Sequence, residues 1–378
     1  MNNIQLLTQD IGDKTIVWFE GCNEYLVTEK RTAHILEQLQ QGIREEEIGQ
    51  NLADSIEVPI DKAMDFVMEL KHNVYNPKSQ IKKTATSKTS TYEKPKKWEL
   101  VTHYKIGFYC IQVRFQKEHL ASLVHPKYAH LETVGTENST AIFEVFQMNN
   151  KVVLEVNEQP IGAWSKEEVH YFQGKFSMEL IQQMHQKPER EWIGVFHASA
   201  VANSEKSVLF LGDSGNGKST SLALLQANGF TCLADDFVPM AAEDCNVYRL
   251  PSAISVKKNS WPILAPFYPQ LANASEYHVK MSNKIIRYLP PNSTSNIEHL
   301  PCNNLVFIKY HKDSEIQFSE LSKVEAFERL IPDSWISPAA GNVKKFLRWF
   351  SLVNCYQLTY SNNEKMIHQV HKIFSNEL

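Results

Sequence analysis

Apolar and polar positions divide the 378-residue chain into three stretches. The first, residues 1–76, opens with short β-type runs at Ile4–Leu7, Thr15–Phe19 and Glu24–Val27, broken by Gly12-Asp13 and Gly21. The apolar period then lengthens to that of a helix. Ala33, Ile35, Leu36 and Leu39 share one side from about Glu29, with Thr28 as N-cap and Gly42 as stop. Ile48 and Leu52 mark a second helix over Glu45–Ala53. Ala63, Phe66, Val67 and Leu70 mark a third over Asp61–His72. Three strands and three helices predict a small winged-helix-like domain.

The pattern then vanishes. Residues 78–97 hold seven lysines, one glutamate and seven serines or threonines, with almost nothing apolar. Such a composition cannot offset its ordering entropy, so residues 77–97 read as a flexible Lys/Ser/Thr-rich linker. From Trp98 the chain is rich in strands: Tyr104–Phe115, Ala141–Gln147, Lys151–Asn157, Ile193–Ala202, Ser207–Leu211, Asn304–Tyr310 and Ile316–Leu321. Helical spacing appears at Ser177–His185, Val343–Val353 and Glu364–Phe374. Residues 98–378 therefore read as a second domain, and the fold class as α/β, or α+β over the whole chain.

Composition narrows the partners. The formal net charge is −4, and residues 1–75 alone carry fourteen acidic against six basic side chains. Phosphate neutralisation dominates affinity for DNA, so neither the chain nor its first domain is built for nucleic acid, and an anionic membrane is equally poorly served. No apolar run approaches the roughly 20 residues that span a bilayer. Met1–Asp13 lacks a basic segment followed by an apolar one. The six cysteines are scattered, without CxxC spacing. A soluble, cytoplasmic protein with reduced thiols is expected.

One motif carries chemistry. Gly212-Asp213-Ser214-Gly215-Asn216-Gly217-Lys218-Ser219 fits GxxxxGK[ST]. An apolar strand, Ser207–Leu211, leads in, and Ser219-Thr220-Ser221-Leu222 opens a helix that stops at Gly229. Glycines let the backbone close round a phosphate, and inward amides with the helix N-terminus attract the anion. Lys218 adds a full charge, and the Ser219 hydroxyl can ligate Mg2+. Thr220 extends the loop's candidate nucleotide contacts.

Asp235 and Asp236 follow Lys218 by seventeen residues, after the apolar run Phe230–Leu233. One carboxylate can hold Mg2+ and the other can accept a proton from an attacking hydroxyl; the spacing does not say which does which. Two adjacent acids repel, so one pKa should rise. His197, fifteen residues before Gly212, could tune an aspartate or be structural. Lys257, Lys284 and Arg287 could reach phosphates or acceptor, or simply be solvated. His125, His130, His368 and His371 lack ligand spacing.

His197, the Gly-Asp-Ser-Gly-Asn-Gly-Lys-Ser loop and Leu233-Ala234-Asp235-Asp236 together resemble the kinase domain of HPr kinase/phosphorylase, a relative in fold of phosphoenolpyruvate carboxykinase. The resemblance is specific over 195–240 and loose over 100–330. It implies an ATP-dependent serine kinase in which Asp235 is the base helped by His197, Lys218 binds phosphates, and Ser219 and Asp236 hold Mg2+. Thr220 stands where that family has glutamate, and its Arg-Gly-x-Gly motif is missing, so reversible action on HPr is not implied. The chain looks more like the HPr-kinase-related proteins of peptide biosynthesis clusters. Such kinases form hexamers, so a homo-oligomer is possible. Residues 3–75, through Tyr25-Leu26-Val27, Thr32-Ala33, Leu39, Gly42, Ile48, Val67 and Leu70, resemble PqqD-like domains, which bind leader peptides.

The leading expectation is a kinase that docks a ribosomally made precursor peptide through its first domain and phosphorylates a serine or threonine. The alternatives are a small-molecule kinase, acting for example on free serine, and a nucleotide-dependent peptide chaperone without transfer chemistry.

Overall fold

The computed structural model describes residues 5–80, 93–135, 139–279, 284–292 and 297–377. The linker read over 77–97 falls largely on residues 81–92, outside the described residues. The fold is mixed α/β, and the chain divides into two compact units.

The first unit contains the described residues up to Gln80, together with 322–328 and 336–353. Strands β1 (Leu6–Ile11), β2 (Lys14–Phe19) and β3 (Glu24–Glu29) form an antiparallel sheet in that order. The first strand runs to Ile11 instead of ending at Leu7, because Gly12, at φ +68°, makes the turn that pairs Ile11 with Lys14. Helices follow at Lys30–Gln40, Glu45–Ile56 and Ile60–Leu70. The first is preceded by Glu29 as N-cap, without a side-chain cap, and not by Thr28, which remains paired with Thr15 in the sheet. Val17, Phe19, Leu36, Ile48 and Val67 close the core. The helix Ala340–Leu352 packs in the same unit, where Phe346 and Phe327 meet Tyr25 edge-on at 6.1 and 5.6 Å.

The second unit contains the described residues from Glu93 to Leu321, with 329–335 and 354–377. Its first layer is a five-stranded sheet of β4 (Leu100–Ile106), β5 (Tyr109–Phe115), β6 (Ala141–Met148), β7 (Lys151–Val156) and β8 (Gln159–Trp164). The run expected as one strand over Tyr104–Phe115 is a hairpin, since Gly107 turns the chain at φ +58°. The helix Val169–His185, longer than its apolar spacing suggests, packs on this sheet; Phe172 and Phe176 are fully buried.

The larger sheet contains β9 (Trp192–Phe196), β10 (Ser199–Ala202), β11 (Ser207–Leu211), β12 (Thr231–Asp235), β13 (Val238–Ala241) and β14 (Asn246–Tyr248). A three-stranded sheet follows from β15 (Ile254–Lys257), β16 (Tyr277–Val279) and β17 (Lys284–Leu289), in the order β15-β17-β16. β18 (His299–Tyr310), β19 (Gln317–Glu320), β20 (Ser334–Ile336) and β21 (Asn354–Tyr360) return to the large sheet. Its order is β12-β10-β11-β18-β14-β13-β9-β20; off this path, β21 also pairs with β18, and β19 pairs with β21.

β11 and β18 are parallel, as are β18 and β21, whereas β10 runs antiparallel to both β11 and β12. All five residues of β11 are buried, as a central strand covered on both faces requires. Leu222, Leu224 and Leu225 of the helix Lys218–Ala227 share a buried cluster with Phe210, Val306 and Tyr360 of that sheet and with Met366 of the helix Asn363–Ser375. At about 25 cal/mol per Å2 of apolar surface, this burial is what holds the helix start against β11.

The stretch Ile193–Ala202, expected as one strand, is two. β9 pairs with β13, while β10 pairs with β11 and β12. His197 and Ala198 make the break. His197 is therefore at a crossing point of the sheet and not inside a strand.

Candidate functional site

The loop between β11 and the helix Lys218–Ala227 needs glycine at three places. Gly212, Gly215 and Gly217 have φ of +136°, +107° and +96°, values that L side chains rarely adopt. A Cβ on Gly212 would stand 2.8 Å from the Ile308 carbonyl oxygen, and one on Gly217 3.2 Å from the Tyr360 hydroxyl. The loop thus passes close to β18 and β21. The Asn216 side-chain amide donates to Asp213 Oδ2 at 3.3 Å, and the Asn216 backbone carbonyl accepts from Tyr310 N–H at 3.0 Å. Ser221 and the Tyr360 hydroxyl, 2.8 Å apart, anchor the helix start.

Lys218 is buried and folds back onto its own loop, donating to the Gly212 carbonyl and, at 3.5 Å, to that of Asp213. Burial lowers its pKa, against the opposing pull of Asp236, Asp235, Asp333 and Asp213. An ammonium so poorly hydrated gains much from an incoming anion.

Asp235 ends β12 and is 2% exposed. Its Oδ1 accepts from Ser199 at 2.6 Å and Ser219 at 3.1 Å; its Oδ2 accepts from the Ser255 amide at 3.2 Å. Burial, and then the neighbouring Asp236, push it up to about 6 despite these bonds. Asp236 is oriented differently. Its φ is +64°, which turns its side chain away from the strand and into a cleft. Burial acts to raise its pKa, but Lys127, His197 and Lys218 prevail and hold it below the usual carboxylate range. Lys127 Nζ stands 3.5 Å from Asp236 Oδ2. The His197 ring nitrogen Nδ1 lies 3.3 Å from the backbone carbonyl of Asp236, so histidine and aspartate are tied through the main chain.

The cleft has a volume of about 310 Å3. Asp213, Ser214, Gly215, Gly217, Lys218, Ser219 and Thr220 line it from the loop side, with His197 and Asp236 opposite. Gly212, Asn216 and Asp235 shape it from behind and are not part of its surface. Four lysines converge: Lys127, Lys218, Lys257 and Lys284. Lys257 and Lys284 donate to the Ser214 hydroxyl at 3.2 and 3.0 Å. Burial and then Lys284 lower the Lys257 pKa. Thr220 and Ser260 hydroxyls are 2.7 Å apart, closing the cleft wall. Crowded lysines beside a positive-φ loop form a site for a compact polyanion.

Arg287 belongs elsewhere. It stacks over Trp261 at 3.8 Å and pairs with Glu276 at 2.8 Å. His125 bonds the Tyr104 hydroxyl at 2.8 Å, and His371 packs on Phe230. Lys127 and Ser199 carry no sequence signal. Lys127 lies on the short helix His125–Tyr128, and its carbonyl accepts from Ala253 N–H at 2.8 Å beside β15.

No protein-family model matches the chain, and no curated protein matches it. Among solved structures, the Hpr(Ser) kinase/phosphatase from Coxiella burnetii overlaps 48% of this chain and 95% of its own, at 9% identity and a TM-score of 0.23. Among the described residues no helix is long and apolar enough to cross a membrane.

Proposed function

We propose that the second unit binds a nucleoside triphosphate, ATP, with Mg2+, and transfers its γ-phosphate to a hydroxyl. The observation that carries this reading is the placement of Lys218, Ser219 and Asp236 on one lysine-rich cleft, with Asp235 bonded to Ser219 from beneath. A triphosphate tail brings about four negative charges at neutral pH, which four lysines can neutralise. Lys218 exchanges its bonds to the loop carbonyls for phosphate oxygens.

The donor set suits Mg2+: one hydroxyl and one carboxylate, with phosphate oxygens and water for the rest. Bound there, the ion neutralises charge on the transferred group. Ser219 would ligate it, and Asp235, which accepts from Ser219 beneath the cleft, would support it through that hydroxyl or a water; a nearby cation relieves a carboxylate that burial disfavours.

Asp236, not the more deeply buried Asp235, receives the acceptor's proton. The hydroxyl must come within hydrogen-bond reach of the base, and both oxygens of Asp235 are already occupied. This exchanges the two aspartates relative to the roles that the family resemblance implies. His197 is a positioning residue: it holds the Asp236 main chain and adds to the field that keeps the carboxylate ionised. Lys127 orients the same carboxylate.

The acceptor is a serine or threonine of a precursor peptide brought by the first unit. In support, β3 pairs with β2 on one side only among the described strands, and an extended peptide can add to such an edge.

The test is phosphate transfer from radiolabelled Mg-ATP by the full-length protein. Asp236→Asn should retain nucleotide binding in calorimetry and lose about 100-fold or more in transfer. Lys218→Ala should lose nucleotide affinity as well. Equal transfer by Asp236→Asn and the parent protein sinks the assignment. Hydrolysis of ATP with no labelled acceptor favours a nucleotide-dependent chaperone instead.

A further inference from the structure

Asp236 and His197 border two cavities. Their linings share only these two residues, and the larger, of about 730 Å3, contains none of Lys127, Lys218, Lys257 and Lys284. Trp164, Tyr171, Met178, Phe237 and Trp335 give it an apolar wall. Tyr171 is 62% and Trp335 37% exposed, so aromatic surface faces the opening with nothing from this unit to cover it. Clustered exposed apolar surface of this kind marks a binding groove.

The charges at the rim are unequal. Lys175 is held by Glu189 and, at 3.3 Å, by Glu179. Asp333 is exposed and has no ion-pair partner among the described residues. The cavity therefore offers aromatic rings and one available carboxylate.

Gly174 supplies a separate observation. It sits in the middle of the helix Val169–His185, where glycine costs about 1 kcal/mol relative to alanine. Its φ is not left-handed, and a Cβ there meets nothing closer than Phe237 at 4.0 Å. The backbone has no need of glycine at this point. The missing side chain keeps the cavity open, since Gly174 lines it.

We propose that this cavity receives the acceptor, a peptide segment whose serine or threonine stands beside a bulky apolar residue and close to a lysine or arginine. The inference rests on the phosphotransfer reading and names the substrate class of that same site. The volume lies in the range that encloses a drug-sized ligand, so free serine would leave most of the apolar wall bare. The apolar neighbour fills the space between Trp164, Tyr171 and Met178. The cation meets Asp333 and the Trp335 ring. The serine hydroxyl then reaches Asp236 from the side opposite the phosphates. Its oxygen forms a bond to the γ-phosphorus as the bond from that phosphorus to the bridging oxygen breaks. The diphosphate leaves with the electron pair, and the hydroxyl proton passes to the Asp236 carboxylate.

The experiment offers full-length protein and radiolabelled Mg-ATP a degenerate set of serine peptides, with free serine and a panel of sugars alongside. The expected result is label in peptides carrying an aromatic or aliphatic neighbour and a basic residue. Trp335→Ala should reduce kcat/KM for those peptides by about tenfold or more. Asp333→Lys should move the preference from basic to acidic neighbours, a gain that misfolding cannot imitate. Gly174→Leu, which favours the helix and fills the cavity, should abolish peptide labelling. Label mainly in free serine or sugars overturns the inference but leaves the phosphotransferase reading standing. So does a peptide preference that none of the three variants changes. Nucleotide binding with no transfer to any acceptor overturns both.

Discussion

The Ser219 hydroxyl donates to Oδ1 of Asp235 across 3.1 Å. This one bond joins the first turn of the loop helix to the end of β12, two strands away from β11 in the sheet. Ser199, on the strand between them, donates to the same oxygen at 2.6 Å. Three elements are thus locked at a single carboxylate beneath the cleft.

That lock has a measurable weight. Ser199 is fully buried, and a hydrogen bond to a charged group is worth about 1.5–3 kcal/mol. Ser199→Ala should lower stability by an amount of that order in thermal unfolding. It should also weaken Mg-ATP binding, because Asp235 loses a partner that favours its ionised form. An unchanged melting temperature with unchanged affinity argues against the lock.

Nucleotide binding should depend on pH through Asp235. Burial and Asp236 push its carboxyl up to about 6. Below that value the folded protein carries a proton that a metal-bound nucleotide must displace, so binding releases it. Affinity for Mg-ATP should therefore rise between about pH 5 and 7, and then level off. In the ligand-free protein the sign is opposite. A raised carboxyl favours the folded state below its unfolded value of about 4, and that contribution is lost as pH rises through about 6. Calorimetry in two buffers of different ionisation enthalpy counts the released proton. A flat affinity across this range is incompatible with Asp235 beside the metal.

The three loop glycines should not be equally replaceable. Gly212→Ala combines positive φ with a backbone oxygen at 2.8 Å, Gly217→Ala combines it with a side-chain hydroxyl at 3.2 Å, and Gly215→Ala meets nothing within 4 Å. Strained φ alone costs about 1–3 kcal/mol. Thermal stability should fall most for Gly212→Ala, less for Gly217→Ala and least for Gly215→Ala. Any other order contradicts the loop geometry.

The first unit should depend on a residue far from it in sequence. Phe346 is fully buried and meets Tyr25, Phe327 and Phe350 at 6.1, 6.2 and 6.3 Å between ring centres. Phe346→Ala should destabilise that unit by about 3–5 kcal/mol. Hydrogen exchange of the amides in Lys14–Phe19 reads the loss directly. Protection that survives the substitution shows that the three strands and three helices suffice.

The local order of strand, glycine turn and helix was legible in the chain. A buried run ending in glycine, then lysine and a hydroxyl at a helix start, can be read because strand, turn and helix are each set by neighbours in sequence. The acidic pair was legible for the same reason. The hairpin at Gly107 and the break at His197 were not, because an apolar run looks alike whether one strand or two consume it. Their resolution depends on which strands lie alongside.

By itself, then, the sequence determined an α/β chain with a glycine-rich loop between a strand and a helix, two adjacent acids from the seventeenth residue after its lysine, and a separate acidic first segment. Tertiary structure alone decided which acid faces the cleft, since one residue at φ +64° turns a side chain by a backbone angle that no spacing encodes. It also decided that Lys127 and Ser199 join the site, and that residues 336–353 belong with the first unit. These are contacts between segments distant along the chain. They form where burial of apolar surface brings whole elements together, and residue order does not specify that juxtaposition locally.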